Sequence, residues 1–176
     1  MDYLFETARL RVRKFVVADV ERIFSHHLEQ GVKLWIPSEC YKDIEEAINV
    51  INYYISTTES KILPMVLAVE LKETHELIGD TGINEIDGKP GLVEIAYTIS
   101  DKYSNHGYAT ELLSGMTEYV FKTFGFDKIY GRVMRGNIIS TKVLEKNGYV
   151  YIGEEFDAID DYNGNGILMY VKENNN

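Results

Sequence analysis

The chain is poor in the residues that build covalent or metal-linked frameworks. Its 176 residues include one cysteine, Cys40, and four scattered histidines. A single cysteine cannot close an internal disulfide, and it agrees with a reducing compartment. Neither residue type follows the ligand spacing of a zinc site, so we expect no bound metal.

Long apolar segments are missing as well. No run approaches the roughly eighteen residues that a membrane-spanning helix requires. Residues 1–7 have neither the basic start nor the apolar stretch of a secretory signal. From these absences we expect a cytoplasmic protein with no membrane partner.

Positive charge is scarce. Lys and Arg number 18 against 28 Asp and Glu, which gives a formal net charge of −10. Binding to a nucleic-acid backbone needs a basic face, so we expect no nucleic-acid partner. The negative surplus suits a cationic amine substrate, although solubility is the commoner reason for such a charge.

The chain also lacks repeats, linkers and breaks in composition. With 45% hydrophobic residues it is long enough to bury a sizeable core. We therefore predict a single domain over residues 1–176, in which the polar tail at residues 172–176 is frayed.

The clearest pattern that is present runs over residues 92–124. Residues 92–99 read as a strand, and after a short polar loop a helix opens at Gly107. Apolar residues three, four and seven apart define one face of this helix, and Gly125 suits a left-handed C-cap. A turn of small residues at a helix start leaves backbone N–H groups free at the positive end of the helix dipole. The pattern therefore predicts a site for phosphate or pyrophosphate, although such turns are often only structural.

Two better-known phosphate motifs are absent from this turn. It matches neither the dinucleotide fingerprint G-x-G-x-x-G nor the nucleotide loop G-x-x-x-x-G-K-S/T. A second segment, residues 135–149, follows a strand-like run at residues 128–134. Asn137 stands where a helix N-cap belongs, with Ser140 three residues on. Taken alone, capping is enough to explain both residues.

Together the two segments resemble the GNAT superfamily of N-acetyltransferases. Residues 104–109, Ser-Asn-His-Gly-Tyr-Ala, are similar to its pyrophosphate-loop motif, usually Gln/Arg-x-x-Gly-x-Gly/Ala. A second family motif, Asn-x-x-Ser/Ala-x-x-Val-Leu-x-Lys-x-Gly-Phe/Tyr, is matched at Asn137, Ser140, Val143, Leu144, Lys146, Gly148 and Tyr149. Residues 7–13, 94–97 and 107–111 look like the ribosomal-protein N-terminal (alanine) acetyltransferase branch, so the resemblance covers nearly the whole chain.

The resemblance implies acetyl-coenzyme A (acetyl-CoA) as co-substrate. By alignment, the strand residues whose backbone would pair with the pantetheine arm are Tyr97, Thr98 and Ile99. Pyrophosphate would lie on the N–H groups of Asn105, His106, Gly107, Tyr108, Ala109 and Thr110. Asn137 would hydrogen-bond the pantetheine arm, and Ser140 would lie near the thioester sulfur. Ser104 and Asn105 replace the usual Gln/Arg and Gly of the loop, which predicts a weaker hold on the cofactor.

The resemblance also suggests catalytic and acceptor residues. Glu94 is the first candidate for the general base; the alternatives are that it holds the substrate ammonium or is an exposed strand residue. Glu85 and Asp80 are weaker candidates. Relatives often carry a Tyr acid where this chain has Leu144, so that role falls to Ser140, to a water or to no group. Trp35 would line the acceptor pocket, or belong to the core.

We predict an α/β fold of the GNAT type. It consists of a mixed, mostly antiparallel sheet of about six or seven strands with about four helices, in the order β-α-α-β-β-β-α-β-α-β-β. Residues 9–14 form the first strand, at or near an edge, Asp19 starts a helix, and residues 29–42 are irregular. A turn at residues 72–76 joins two strands as a hairpin.

The expected function is direct transfer of an acetyl group from acetyl-CoA to a primary amine. A protein N-terminus is the favoured acceptor. A small amine, such as a polyamine or an aminoglycoside, is the alternative enzyme substrate, and a catalytically silent acyl-CoA-binding module is the alternative outside catalysis. Both a monomer and a homodimer remain open.

Overall fold

A computed structural model describes residues 3–174 of the protein. Within that range the chain forms one sheet of eight strands with the spatial order β1-β2-β3-β4-β5-β6-β8-β7. The strands are β1 (Tyr3–Glu6), β2 (Leu10–Arg13), β3 (Met65–Leu71), β4 (Leu77–Ile86), β5 (Lys89–Ile99), β6 (Lys128–Met134), β7 (Val150–Glu155) and β8 (Ile167–Glu173). The helices are α1 (Val20–His27), α2 (Gln30–Trp35), α3 (Ile44–Ser60), α4 (Tyr108–Phe124) and α5 (Ile138–Lys146).

The predicted class is confirmed, and two short elements are added to it. β1 pairs antiparallel with β2, so β1 takes the edge of the sheet and residues 9–14 do not. α2 lies inside the segment that was expected to be irregular. Elements of four and six residues span too few periods for a hydrophobic pattern to identify them.

The prediction of a frayed tail is wrong for its described part. Lys172 and Glu173 continue β8 and pair with Ile129 and Lys128 of β6. This pairing gives hydrogen-bond partners to the backbone N–H and C=O groups of the two residues. Their polar side chains did not predict a strand. The last two residues of the expected tail, 175 and 176, lie outside the described residues.

The helices cover both faces of the sheet. α4 places Leu112, Leu113, Met116 and Val120 on the main core cluster, on the face that the spacing predicted. α5 packs on the same side, whereas α1 and α3 build a second cluster on the opposite face. No helix in the described range is both long and apolar enough to cross a membrane.

The start of α1 is fixed by a buried ion-pair network. Arg13 donates to both carboxylate oxygens of Asp19, at 2.7 and 2.9 Å, and its Nε donates to Glu70 at 3.0 Å. Asp19 precedes α1, as predicted, but its side chain makes no hydrogen bond to the first turn of that helix. It also accepts from the backbone N–H of Val16 at 2.9 Å. Because all three charges are buried and paired, removing one would leave another uncompensated.

The two central strands separate along their length. All neighbouring strands are antiparallel except β5 and β6, which are parallel and in register only at Glu94 and Tyr130. Beyond Glu94, β5 still pairs with β4 as far as Ile99. The end of β5 and the end of β6 therefore reach the same edge of the sheet with a gap between them, and α4 and α5 begin there.

The backbone of β4 lies very close to that of β5 at Gly79, near the edge where the gap opens. A Cβ built on Gly79 would lie 2.1 Å from the carbonyl oxygen of Thr98 in β5. We expect Gly79→Ala to lower the free energy of unfolding by roughly 1–3 kcal/mol, because the backbone must shift. Chemical denaturation would measure the loss. Gly82→Ala on the same strand is the milder comparison, since a Cβ there would be 3.2 Å from Val66 Cγ2 and 3.3 Å from the Met65 carbonyl oxygen. Equal losses in the two variants would contradict this account.

Candidate active site

The turn between β5 and α4 has the backbone of an anion site. Asn105 and Gly107 adopt left-handed conformations, with φ of 65° and 81°. Glu111 makes the first bond of α4, to the carbonyl of Gly107 at 3.1 Å. The N–H groups of Tyr108, Ala109 and Thr110 consequently have no partner within the helix. They point beyond the helix start, where the dipole favours negative charge.

Arg9, which sequence reasoning did not single out, buttresses this turn. Its guanidinium donates to the His106 carbonyl at 3.0 Å and to Glu111 at 2.7 Å, and it lies 4.4 Å from the centre of the Tyr108 ring. A Cβ on Gly107 would be 3.5 Å from Arg9 Nη2. The Arg9 guanidinium thus supplies a positive charge beside the turn, although Ser104 occupies the place of the usual Gln or Arg.

The gap between β5 and β6 is bridged near α5. The N-cap role of Asn137 is observed: its Oδ1 accepts from the Ser140 N–H at 3.1 Å. Ser140 Oγ lies 2.9 Å from the hydroxyl of Tyr97 on β5. Burial raises the pKa of Tyr97 to about 12, although the bond to Ser140 opposes the rise. Tyr97 therefore stays protonated at neutral pH and is available as a hydrogen-bond donor.

Glu94 lies on the opposite face of β5 from Tyr97, because side chains alternate along a strand. Burial raises the pKa of Glu94 to about 7, with Arg132 opposing and Asp160 adding to the rise. Its Oε2 is 3.8 Å from Arg132 Nη1, which is beyond hydrogen-bond distance. Within residues 3–174 no group donates a hydrogen bond to this carboxylate. A buried carboxylate that titrates near neutrality and has no donor is suited to take a proton.

The weaker candidate bases are placed differently. Asp80 is buried and 2.6 Å from His27 Nε2. Burial favours its neutral form, but the charge and hydrogen bond of His27 outweigh this and hold the pKa of Asp80 below its usual value. Glu85 is exposed, and in the register of β4 and β5 it lies opposite Val93, not opposite Glu94. Asp80 thus has a close hydrogen-bonded partner and Glu85 is open to solvent, whereas Glu94 is largely buried and accepts no hydrogen bond within residues 3–174.

Thr98 belongs to a buried network with Asp80. His26 Nε2 lies 2.7 Å from Thr98 Oγ1, and His26 Nδ1 lies 3.1 Å from Glu29. The candidate ligand atoms of His26, His27 and Asp80 are within 4.8 Å of one another, a grouping that linear spacing did not reveal. Each of these side chains has a hydrogen-bond partner in the network.

Trp35 ends α2 at the mouth of the gap. A Cβ on Gly136, just before α5, would be 3.7 Å from Trp35 Cη2. The beginning of α2 is tied to the end of β5, because Glu29 accepts from Ser100 Oγ at 2.8 Å and from the Asp101 N–H at 2.7 Å. Trp35 is half-buried at this position. Ile99, the last residue of β5, is partly buried against the main core cluster.

The sequence profile of the acetyltransferase (GNAT) domain matches residues 9–150. The chain belongs to the GNAT acetyltransferase family. It is 30% identical over 146 residues to the uncharacterized N-acetyltransferase YoaA of Bacillus subtilis, which covers 83% of this chain and 82% of that protein.

Solved structures of this family show the same fold. The ribosomal-protein-S5-alanine acetyltransferase of Vibrio fischeri superposes with a TM-score of 0.81 at 19% identity, over 98% of this chain and 97% of that one. The ribosomal-protein acetyltransferase RimL, in complex with coenzyme A, superposes with a TM-score of 0.81 at 15% identity, over 98% of each chain. Coenzyme A is thus bound by RimL, one of the proteins that share this fold.

The turn before α4 can be tested by substitution. We expect Gly107→Val to weaken acetyl-CoA binding roughly tenfold or more, because a branched side chain intrudes where N–H groups meet the pyrophosphate. Titration calorimetry measures the affinity. Gly125→Val is the matched control, since Gly125 ends the same helix with φ of 67° and has the same backbone strain. Unchanged binding in a folded Gly107→Val protein would refute the assignment of the turn.

Proposed function

We propose that this acetyltransferase moves the acetyl group of acetyl-CoA directly to a primary amine, and that a protein N-terminus is the acceptor. The observation that carries the proposal is the position of Glu94 at the gap between β5 and β6. Its buried carboxylate reaches one face of the sheet, whereas Tyr97 and Ser140 meet on the other. A thioester inserted in the gap would lie between a proton acceptor and a pair of hydroxyl donors.

The cofactor would enter from the side of α4 and α5. In our proposal its pyrophosphate lies on the N–H groups from Asn105 to Thr110, and its pantetheine arm runs along the backbone of residues 97–99. That stretch of β5 has no register with β6, so its outward backbone groups are free to pair with the arm. The Asn137 side chain uses its oxygen for the helix cap, which leaves its amide N–H₂ for the ligand.

The reaction needs a neutral amine. Glu94 would take a proton from the substrate ammonium, directly or through a water, and the amine nitrogen would then attack the thioester carbonyl carbon. The carbon–sulfur bond breaks, and its electron pair leaves with the thiolate. The nitrogen loses its remaining extra proton to water as the amide forms, and the thiolate takes up a proton from water. Ser140, which lies within hydrogen-bond distance of Tyr97, would donate a hydrogen bond to the departing sulfur. A thiolate needs little more help, because a thiol is much more acidic than an alcohol or an amine and its anion is a good leaving group.

Two features favour a positively charged acceptor, namely the acidic groups around Glu94 and the aromatic side chain of Trp35. Acidic groups surround Glu94, and burial together with Asp160, Asp87 and Glu155 raises its pKa. Trp35 lies at the mouth of the gap, where an aromatic face can pack on a substrate chain or cation. The Vibrio fischeri neighbour and RimL are both named for ribosomal proteins, which supports a protein N-terminus as the acceptor.

An acceptor panel tests this proposal. The assay follows release of the coenzyme A thiol with peptides that have free N-termini, the same peptides blocked at the N-terminus, a polyamine and an aminoglycoside. We expect turnover with free peptides only, and mass spectrometry should locate the acetyl group on the α-amino nitrogen. Turnover with small amines alone would favour the alternative substrate class. Cofactor binding without any turnover would favour a silent acyl-CoA-binding module.

The pH dependence tests the base. Because Glu94 must be deprotonated to act, we expect kcat/KM of the wild type to fall as the pH drops below about 7. Glu94→Gln should lower kcat by roughly 10²-fold or more and remove this inflection, with acetyl-CoA affinity intact. Glu85→Gln, an exposed substitution on the neighbouring strand, is the control. A pH profile that keeps its inflection in Glu94→Gln would move the base elsewhere.

The hydroxyl pair can be tested from both sides. We expect Ser140→Ala to reduce kcat by roughly tenfold, because one hydrogen bond to a developing thiolate is lost. Tyr97→Phe should produce a smaller loss, since it removes only the partner that orients Ser140. Single-turnover rates and calorimetric affinities separate chemistry from binding. Wild-type rates in both variants would show that the hydroxyl groups of Ser140 and Tyr97 do not contribute to catalysis.

A further inference from the structure

Arg132 forms a long ion pair with the proposed base, but its hydrogen bonds go to other carboxylates. Its side chain is 8% exposed. Nη1 and Nη2 donate to the two carboxylate oxygens of Asp160, at 2.5 and 2.8 Å. Nη2 also lies 3.4 Å from Glu155, which is 2.9 Å from Lys89 Nζ. The end-on, two-bond pairing is the strongest arrangement for a guanidinium and a carboxylate, so Asp160 dictates how Arg132 is oriented.

Glu94 is left out of this arrangement. The nearest guanidinium nitrogen stays 3.8 Å away, too far for a hydrogen bond. Arg132 Nε is buried and has no hydrogen-bond partner within residues 3–174. The guanidinium is buried, has an unused N–H and makes no hydrogen bond to the neighbouring Glu94. This indicates that the loop between β7 and β8, which carries Asp160, determines the orientation of Arg132.

We propose that Asp160 is a positioning residue that holds the Arg132 guanidinium away from Glu94, so that the carboxylate keeps its affinity for a proton. Asp160 acts in two ways. It occupies the donors that would otherwise shorten the 3.8 Å separation to a hydrogen-bonded ion pair. Its own negative charge also opposes ionisation of Glu94. The catalytic consequence rests on the proposed role of Glu94 as the base; the effect on the titration of Glu94 does not.

The other charged groups around Glu94 do not reverse the direction in which loss of Asp160 would shift the pKa of Glu94. Burial favours the protonated form most strongly, and the carboxylates act in the same direction, whereas Arg132 opposes them. The groups that face Glu94 from the packed elements are Arg132 on β6, Asp160 in the β7–β8 loop, Asp87 in the β4–β5 turn and Glu155 on β7 with its partner Lys89. Removing Asp160 deletes one carboxylate and frees Arg132, and both changes stabilise ionised Glu94.

The test is a direct titration of Glu94 in the full-length protein. The side-chain carboxyl ¹³C signal of Glu94, assigned by its loss in Glu94→Gln, is followed against pH by NMR. We expect Asp160→Asn to lower the midpoint by roughly one unit or more, as a newly formed ion pair would. Asp160→Glu keeps the charge and should restore most of the wild-type midpoint. Asp157→Asn removes an exposed carboxylate from the same loop and should leave the midpoint in place.

An unmoved midpoint in folded Asp160→Asn would overturn the proposal. Asp160 is 36% exposed, so the variant is expected to fold. Glu155→Gln provides a second reading, because it removes the other carboxylate on Arg132 and should shift the midpoint by a smaller amount in the same direction. Absence of any shift in Glu155→Gln would count against the proposal in the same way.

Kinetics separate this inference from the proposed function. If Glu94 is the base, the inflection in kcat/KM should move to lower pH in Asp160→Asn, and the plateau should fall because a weaker base removes the proton. A shifted NMR midpoint with an unmoved kinetic inflection would support the role of Asp160 and refute Glu94 as the base.

Discussion

Strands β5 and β6 join at Glu94 and Tyr130 and then part, and the candidate site depends on that parting. A parallel pair that stayed in register would close the sheet and consume the outward backbone groups of β5. Separation leaves those groups free, opens a passage between the two faces, and brings the starts of α4 and α5 to one edge. The anion turn, Ser140 and Glu94 are then parts of one opening rather than isolated features.

The opening is held by contacts that lie outside the two motif segments. On one side, Arg9 from the β1–β2 turn binds the His106 carbonyl and Glu111, and so fixes the turn before α4. On the other side, Glu29 ties the beginning of α2 to the end of β5 and thereby places Trp35. Both anchors are charge-assisted hydrogen bonds, which combine strength with direction. The site is thus positioned by elements far from it in sequence.

Buried charge gives the site its chemistry. Asp19 and Glu70 both accept hydrogen bonds from Arg13 at the start of α1, and Asp80 is hydrogen-bonded to His27. Glu94 differs from these groups, because Arg132 gives its hydrogen bonds to Asp160 and Glu155 and stays 3.8 Å from Glu94. Burial without compensation raises the affinity of a carboxylate for a proton, whereas burial with a partner lowers it. The contrast between Glu94 and Asp80, two carboxylates on neighbouring strands, follows from this difference.

The sequence by itself determined the local features. Helical spacing and two glycines delimited α4, Asn137 marked the start of α5, and the ordered motifs indicated the family and its fold, because each of these depends on residues close together in the chain. Only the tertiary structure showed the edge strand β1, the short helix α2 and the pairing of Lys172 and Glu173, since these elements are too short or too polar to carry a periodic signal. It alone also joined Arg9 to the anion turn, Tyr97 to Ser140 and Arg132 to Asp160. Those contacts connect residues between 28 and 102 positions apart, and no pattern along the chain records which distant side chains meet or how deeply they are buried.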